Sequence, residues 1–150
     1  MFNNFKIDKY INNIPRIAGV GIDLLSVDRV RTLYQRYQKH FLKKMLGEEE
    51  LYVFQKRLNS NYERGIRFLT TRIASKEAFS KAVDTGIRYP VTWKNVQIIN
   101  SSKGSPKIIL SSDLDLWYRS TYEDAYVSIS DDINLALAIV ITDRKCKNVL

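Results

Sequence analysis

The sequence predicts an α+β fold in which an antiparallel sheet packs on a long central helix, and three features carry that prediction. A helical pattern runs from about residue 63 to 83, with Ala74, Ala78 and Ala82 recurring at i, i+4 and i+8. Such a row of small side chains is a flat ridge that another element can approach closely. Beyond residue 90 the pattern changes to strand-like runs at 91–99, 107–110, 125–130 and 135–142, divided by turn residues. At the other end of the chain residues 17–25 read as a short buried strand.

Length and composition bound the rest. The 150 residues read as one domain, 1–150, with residues 1–13 as a weakly patterned N-terminal extension and 143–150 as a basic tail. Hydrophobic residues make up 45% and charged residues 27%, which suits a globular chain with a real core. Lys and Arg outnumber Asp and Glu by 24 to 16, a net charge of +8. That balance suggests an anionic partner: nucleic acid, a nucleotide, a membrane surface or an acidic protein. The single cysteine, Cys146, excludes an internal disulfide and a cysteine-based zinc site and fits a reducing compartment. No apolar run reaches the ~18 residues that span a bilayer, and the N-terminus lacks the apolar core of a signal peptide. The expected location is cytoplasmic, with no membrane partner.

In chain order, the first strand runs out at Asp23, and its Gly19 and Gly21 permit close backbone approach. Gly19-Val20-Gly21 is not a dinucleotide fingerprint, because no third glycine follows. Val27–Met45 is the clearest helix, with Val27, Val30, Leu33, Tyr34, Tyr37, Phe41 and Met45 on one apolar arc. Arg29, Arg36, His40 and Lys43 form a basic stripe beside it, either a solvated face or a docking surface for an anionic partner. The lone histidine, His40, reads as a surface residue. Gly47 breaks the pattern, and Glu48-Glu49-Glu50 open the next helix, where the dipole favours negative charge. The central helix has two unlike halves: Arg72, Ile73, Lys76, Glu77, Ser80 and Lys81 on one, and Ala74, Ala78, Phe79 and Ala82 on the other. On pattern alone it is a surface helix with a Glu77–Lys81 pair, stopped at Thr85-Gly86. A turn at 101–106, a short helix at 113–122 and a hairpin loop at 131–134 complete the order.

Asp23 and Glu77, with cations close to the latter, fit a magnesium site for a phosphorylated substrate. Mg²⁺ takes one or two carboxylates and completes its octahedron with water and phosphate oxygens. Arg72, Lys76 and Lys81 would neutralise the remaining phosphate charge. Two acids so far apart in the chain are a weak signal by themselves. Neither a Ser/His/Asp triad nor a Walker loop is present.

The motifs carry a resemblance. Gly19-Val20-Gly21-Ile22-Asp23, then Arg29-Val30, then residues 68–82 with Lys76-Glu77-Ala78-Phe79-Ser80-Lys81, and Thr85-Gly86-Ile87, resemble the holo-acyl-carrier-protein synthases. These are the small bacterial 4′-phosphopantetheinyl transferases. The likeness continues through 95–98, 104–106 and 127–130, in the family's order. It implies the 4′-phosphopantetheinyl transferase fold and a homotrimer with sites between subunits. It implies transfer of phosphopantetheine from coenzyme A to a serine of apo acyl-carrier protein, with release of 3′,5′-ADP, in fatty acid biosynthesis. Asp23 and Glu77 would be the Mg²⁺ ligands, and Asp23, Glu77 and Lys81 the catalytic set. Arg72, Lys76, Lys81 and Gly86 would bind the coenzyme, and Arg29 and Arg36 would meet the carrier protein. Two departures stand out: Asp131 replaces the family's histidine after the Ser-Ile-Ser segment, and Thr70-Thr71 replaces a small Ala-Gly pair. The alternative from another class is a basic nucleic-acid-binding module, disfavoured because the basic residues are split between two helices and no aromatic stacking motif is present.

Overall fold

The structure, a computed structural model, describes residues 16–145. The extension at 1–13 and Cys146 lie outside those residues. The chain runs β1 (Arg16–Ser26), α1 (Val27–Met45), α2 (Glu48–Ser60), α3 (Tyr62–Ala82), β2 (Val96–Asn100), β3 (Pro106–Leu110), α4 (Ser112–Arg119), β4 (Tyr122–Asp131) and β5 (Leu135–Arg144). Three strands form an antiparallel sheet in the order β1-β5-β4, and β2 and β3 form a separate antiparallel hairpin. It is a mixed α and β architecture with antiparallel sheets.

Local sequence sets the helix starts. The Ser26 hydroxyl accepts from the Arg29 amide at 3.3 Å, and the Asn61 side chain accepts from the Arg64 amide at 3.0 Å. Both are N-caps that satisfy amides left over by the first helical turn. At the start of α2 the Glu50 carboxylate reaches back to the Gly47 amide at 3.0 Å. α1 is kinked at Gln38, whose φ of 41° lies in the left-handed region.

α3 is enclosed from two sides. Its Ala74, Ala78, Phe79 and Ala82 pack with Ala138 and Val140 of β5 and with Val96, Ile98, Leu114 and Tyr118. Ile73, Leu69 and Phe68 pack into a second cluster with Val30, Leu42, Leu46 and Phe54 from α1 and α2. The half expected to face solvent is therefore largely inside: Arg72, Ile73, Lys76 and Ser80 are all buried. Helical periodicity divides apolar from polar side chains but does not show that the polar ones have internal partners.

The alanine ridge meets the two glycines of β1. A Cβ on Gly19 would lie 1.9 Å from the Ala82 carbonyl oxygen, and one on Gly21 1.8 Å from that of Ala78. Main chain packs on main chain here, and only glycine permits it.

Three expected elements differ in extent. Residues 91–95 are not strand: Val91 forms only an isolated bridge with Arg88, and Thr92 and Pro90 accept hydrogen bonds from Asn95. These local side-chain bonds hold a turn where β alternation suggests a ladder. The helix expected to reach 122 ends at Arg119, and Tyr122 opens β4. The tail is paired further than expected, since Asp143 and Arg144 oppose Ile17 and Arg16. Among the described residues no helix is long and apolar enough to cross a membrane.

Candidate active site

β1 and α3 bring Asp23, Glu77 and Lys81 together. The Lys81 ammonium donates to Asp23 Oδ1 at 2.9 Å and to the Ile22 carbonyl at 2.8 Å. Lys81 thus turns across to the strand, and no Glu77–Lys81 ion pair forms among the described residues. Partial burial and the Asp23 charge push the Glu77 carboxyl above the usual carboxylate range, while Lys81 and Ser80 pull it back. A half-buried Glu77 carboxyl facing the Asp23 charge suits a divalent cation that relieves the repulsion. No group of three or more His, Cys, Asp or Glu side chains that could hold a metal occurs among the described residues. A pair of carboxylates matches Mg²⁺, which needs few protein ligands.

Earlier along α3 lies a cavity of about 250 Å³. Arg57, Arg64, Arg67 and Arg72 line it, with Phe68, Asn100 and one acidic side chain, Asp131. Arg72 is fixed on all sides. Its Nε donates to the Ile98 carbonyl at 3.0 Å, its other nitrogens donate to Thr71 Oγ1 and Asn100 Oδ1, and its plane lies 4.0 Å from the Phe68 ring centre. Arg57 sits near the same ring, at 4.9 Å. Burial pushes the Arg72 guanidinium down to about 10, still charged at neutral pH. Guanidinium groups around a small cavity, with Arg72 fixed among them, have the chemistry to receive phosphate oxygens.

Lys76, expected to lie near the coenzyme phosphates, turns its ammonium into the core. Its ammonium has no exposed surface and donates at 2.6 Å to each of Glu50 Oε2, the Met45 carbonyl and the Trp93 carbonyl. Glu50 also accepts from the Ile98 amide at 2.8 Å. Three acceptors use all the donors an ammonium has. Burial holds Lys76 below the usual lysine range, against the pull of Glu50.

Gly86 follows α3 with φ 64° and open space where a Cβ would stand. Its amide donates to the Ser80 carbonyl at 3.3 Å, so it closes the helix end. Arg29 and Arg36 are exposed on α1 and in no ion pair among the described residues. The neighbouring aspartates differ. Asp132 Oδ1 accepts from the Asn134 and Leu135 amides at 2.8 and 2.9 Å, which builds the hairpin turn and holds its carboxyl below the usual range. Asp131 instead lines the arginine cavity, with Oδ2 4.0 Å from Arg67.

Arg57, Arg64, Arg67, Asn100 and Glu50 escape the sequence reading. Arg64 and Arg67 stand at i, i+3 upstream of Arg72, a signal that could have placed them near it, but Arg57 and Asn100 arrive from other elements.

The carboxylate pair and the arginine cavity, both served by α3, have the chemistry of a phosphate-binding protein. The model of the 4′-phosphopantetheinyl transferase superfamily matches residues 19–138. The chain is similar to the holo-[acyl-carrier-protein] synthase of Bordetella pertussis, 43% identical over 129 residues that cover 86% of this chain and 84% of that protein. Among solved structures it is similar to the holo-[acyl-carrier-protein] synthase of Neisseria meningitidis, with a TM-score of 0.77, 31% identity and coverage of 84% and 98% of the two chains. It is also similar to that of Bacillus anthracis in complex with CoA (3′,5′-ADP), with a TM-score of 0.71, 29% identity and coverage of 86% and 98%. The chain belongs to the 4′-phosphopantetheinyl transferase superfamily, among its holo-[acyl-carrier-protein] synthases.

Proposed function

We propose that this chain moves the 4′-phosphopantetheine group of coenzyme A onto a serine of an apo acyl-carrier protein of fatty acid biosynthesis, with Mg²⁺. The serine oxygen forms a bond to the β-phosphorus, the bond to the bridging oxygen breaks, 3′,5′-ADP leaves, and the serine proton passes to solvent. The observation that carries the reading is the convergence of Asp23, Glu77 and Lys81 at the contact of β1 and α3. Asp23 and Glu77 would hold Mg²⁺, which supplies polarisation of the pyrophosphate oxygens. Lys81, already poised beside Asp23, would stabilise charge that builds on the leaving phosphate. Arg72, Arg57, Arg64 and Arg67 would take the 3′-phosphate, the dianionic end of the coenzyme. Gly86 would allow the coenzyme to pass close to the main chain at the end of α3.

Arg29 and Arg36 would meet the acidic carrier protein, supported by their exposure on a chain of net charge +8. A homotrimer with sites between subunits is supported by the outward face of the sheet. There Val20, Ile22 and Leu24 are exposed, and the register sets Ile141, Ile139 and Leu137 beside them. Soluble chains rarely leave such a contiguous apolar face uncovered. The nucleic-acid-binding alternative is not favoured by the family membership. The test is incubation with apo acyl-carrier protein, coenzyme A and Mg²⁺, with the carrier's mass as readout. A gain of one phosphopantetheine group is expected, and an unchanged carrier mass rejects the proposal.

A further inference from the structure

Asp131 is the one carboxylate in a cavity whose other charged lining is four arginines, and it stands within ion-pair range of only one of them, Arg67 at 4.0 Å. The arginines are not held alike. Arg72 is fixed by three hydrogen-bond acceptors and the Phe68 ring, and Arg57 by that same ring. Arg67 has Asp131 and no other ion-pair partner among the described residues. Both members of the pair are more than a third exposed, at 37% and 36%. A pair of that kind is weak, so it does little to hold Arg67 in place. Its negative charge nonetheless occupies the cavity wall where a phosphate would sit. The next residue, Asp132, is engaged in the turn and faces away from this role.

We propose that Asp131 is an internal competitor for Arg67, which lowers the hold of the arginine cavity on a phosphomonoester and so speeds release of the 3′-phosphorylated product. The inference rests on the functional reading above. A dianion entering the cavity must displace Asp131 from Arg67 and tolerate its charge. Four arginines without a counter-charge would retain coenzyme and product alike. Product release limits turnover in many enzymes, so a weakened grip on a ligand shared by substrate and product serves rate at the expense of affinity.

The experiment is titration calorimetry of the full chain with coenzyme A, 3′-dephospho-coenzyme A and 3′,5′-ADP. It compares wild type with Asp131→Asn, Asp132→Asn, Arg67→Ala and the Asp131→Asn/Arg67→Ala double variant. Asp131→Asn should tighten coenzyme A and 3′,5′-ADP about three- to tenfold, the size of a screened charge repulsion over several ångströms. It should leave 3′-dephospho-coenzyme A unchanged and make product inhibition by 3′,5′-ADP stronger. Asp132→Asn should match wild type. In the Arg67→Ala background the gain should shrink, because the contested group is gone. Weaker or unchanged coenzyme A binding by Asp131→Asn overturns the inference, and so does an equal gain for the dephospho ligand or an undiminished gain without Arg67. A wild type that binds no coenzyme A overturns the functional reading together with this one. A wild type that binds it but is unmoved by Asp131→Asn overturns this inference alone.

Discussion

Glu77 ionises against two influences, its partial burial and the charge of Asp23. A carboxyl raised in the folded state binds more protons there than in the unfolded chain as pH climbs past the ordinary carboxylate value. Stability then falls with rising pH through that window, and above it the ionised group is a standing cost. Glu77→Gln removes that cost. At neutral pH without metal it should melt at or above the wild-type temperature, and its advantage should vanish as pH falls toward about 4, near the unperturbed carboxylate value. Its transfer activity should be lost. Scanning calorimetry across pH and a transfer assay check both halves, and a lower melting temperature for the variant at neutral pH contradicts the account. At this scale the sequence was informative where a residue sits in a recognisable motif. Asp23, Glu77 and Lys81 could be named from spacing and resemblance before their contact was seen. The placement of Lys76 was hidden, because its partner Glu50 lies on another helix and reads as an ordinary helix-start acid.

α3 joins helices and sheet through the Glu50–Lys76 pair, and that pair has no exposed surface. Lys76→Met leaves the Glu50 carboxylate buried without its cation, which should cost about 3–5 kcal/mol. The Lys76→Met/Glu50→Gln double variant removes the stranded charge while keeping an acceptor for the Ile98 amide. It should lose less than the sum of the two single variants. Urea unfolding of the four proteins measures the coupling, and strict additivity argues against a coupled pair. α1 offers a different test. Arg29→Glu and Arg36→Glu should raise KM for the carrier protein, reduce its salt dependence and leave KM for coenzyme A nearly unchanged. A carrier KM that does not move with either substitution rejects this helix as the docking face. The helices are legible from their apolar periodicity and from breakers such as Gly47, whereas the capping roles of Ser26 and Asn61 emerge only in the structure. Residues 91–95 are not legible, since hydrogen bonds from Asn95 prevail over a strand-like alternation.

At the scale of the molecule, the sheet has one face on α3 and one face open, with Ile22 exposed midway along the edge strand β1. Light scattering of the wild type at micromolar concentration should give three times the chain mass. Ile22→Asp should give the single-chain mass with an unchanged circular dichroism spectrum, and transfer should fall with it under the proposal that subunits complete the site. A wild type of single-chain mass rejects the assembly. The outward apolar face runs against the sequence reading, because an apolar strand at 17–25 reads as buried while Val20, Ile22 and Leu24 are exposed on the open side of the sheet. The arginine cavity is not legible in the sequence, because α2, α3, the β2–β3 hairpin and β4 each contribute to it and only their packing shows that they converge.

The glycine–alanine contact between β1 and α3 has a mechanical corollary. Where backbone rests on backbone there is no rotamer to adjust and no side chain to repack, so the gap has no slack. The span from Asp23 to Glu77 is then a dimension of the fold, insensitive to drift in the residues around it. The opposite end of α3, lined by long arginine side chains of which Arg67 is only weakly paired, has no such gauge. One end of the site can therefore be retuned, as an Asp131 facing Arg67 retunes it, while the carboxylate end keeps its measure.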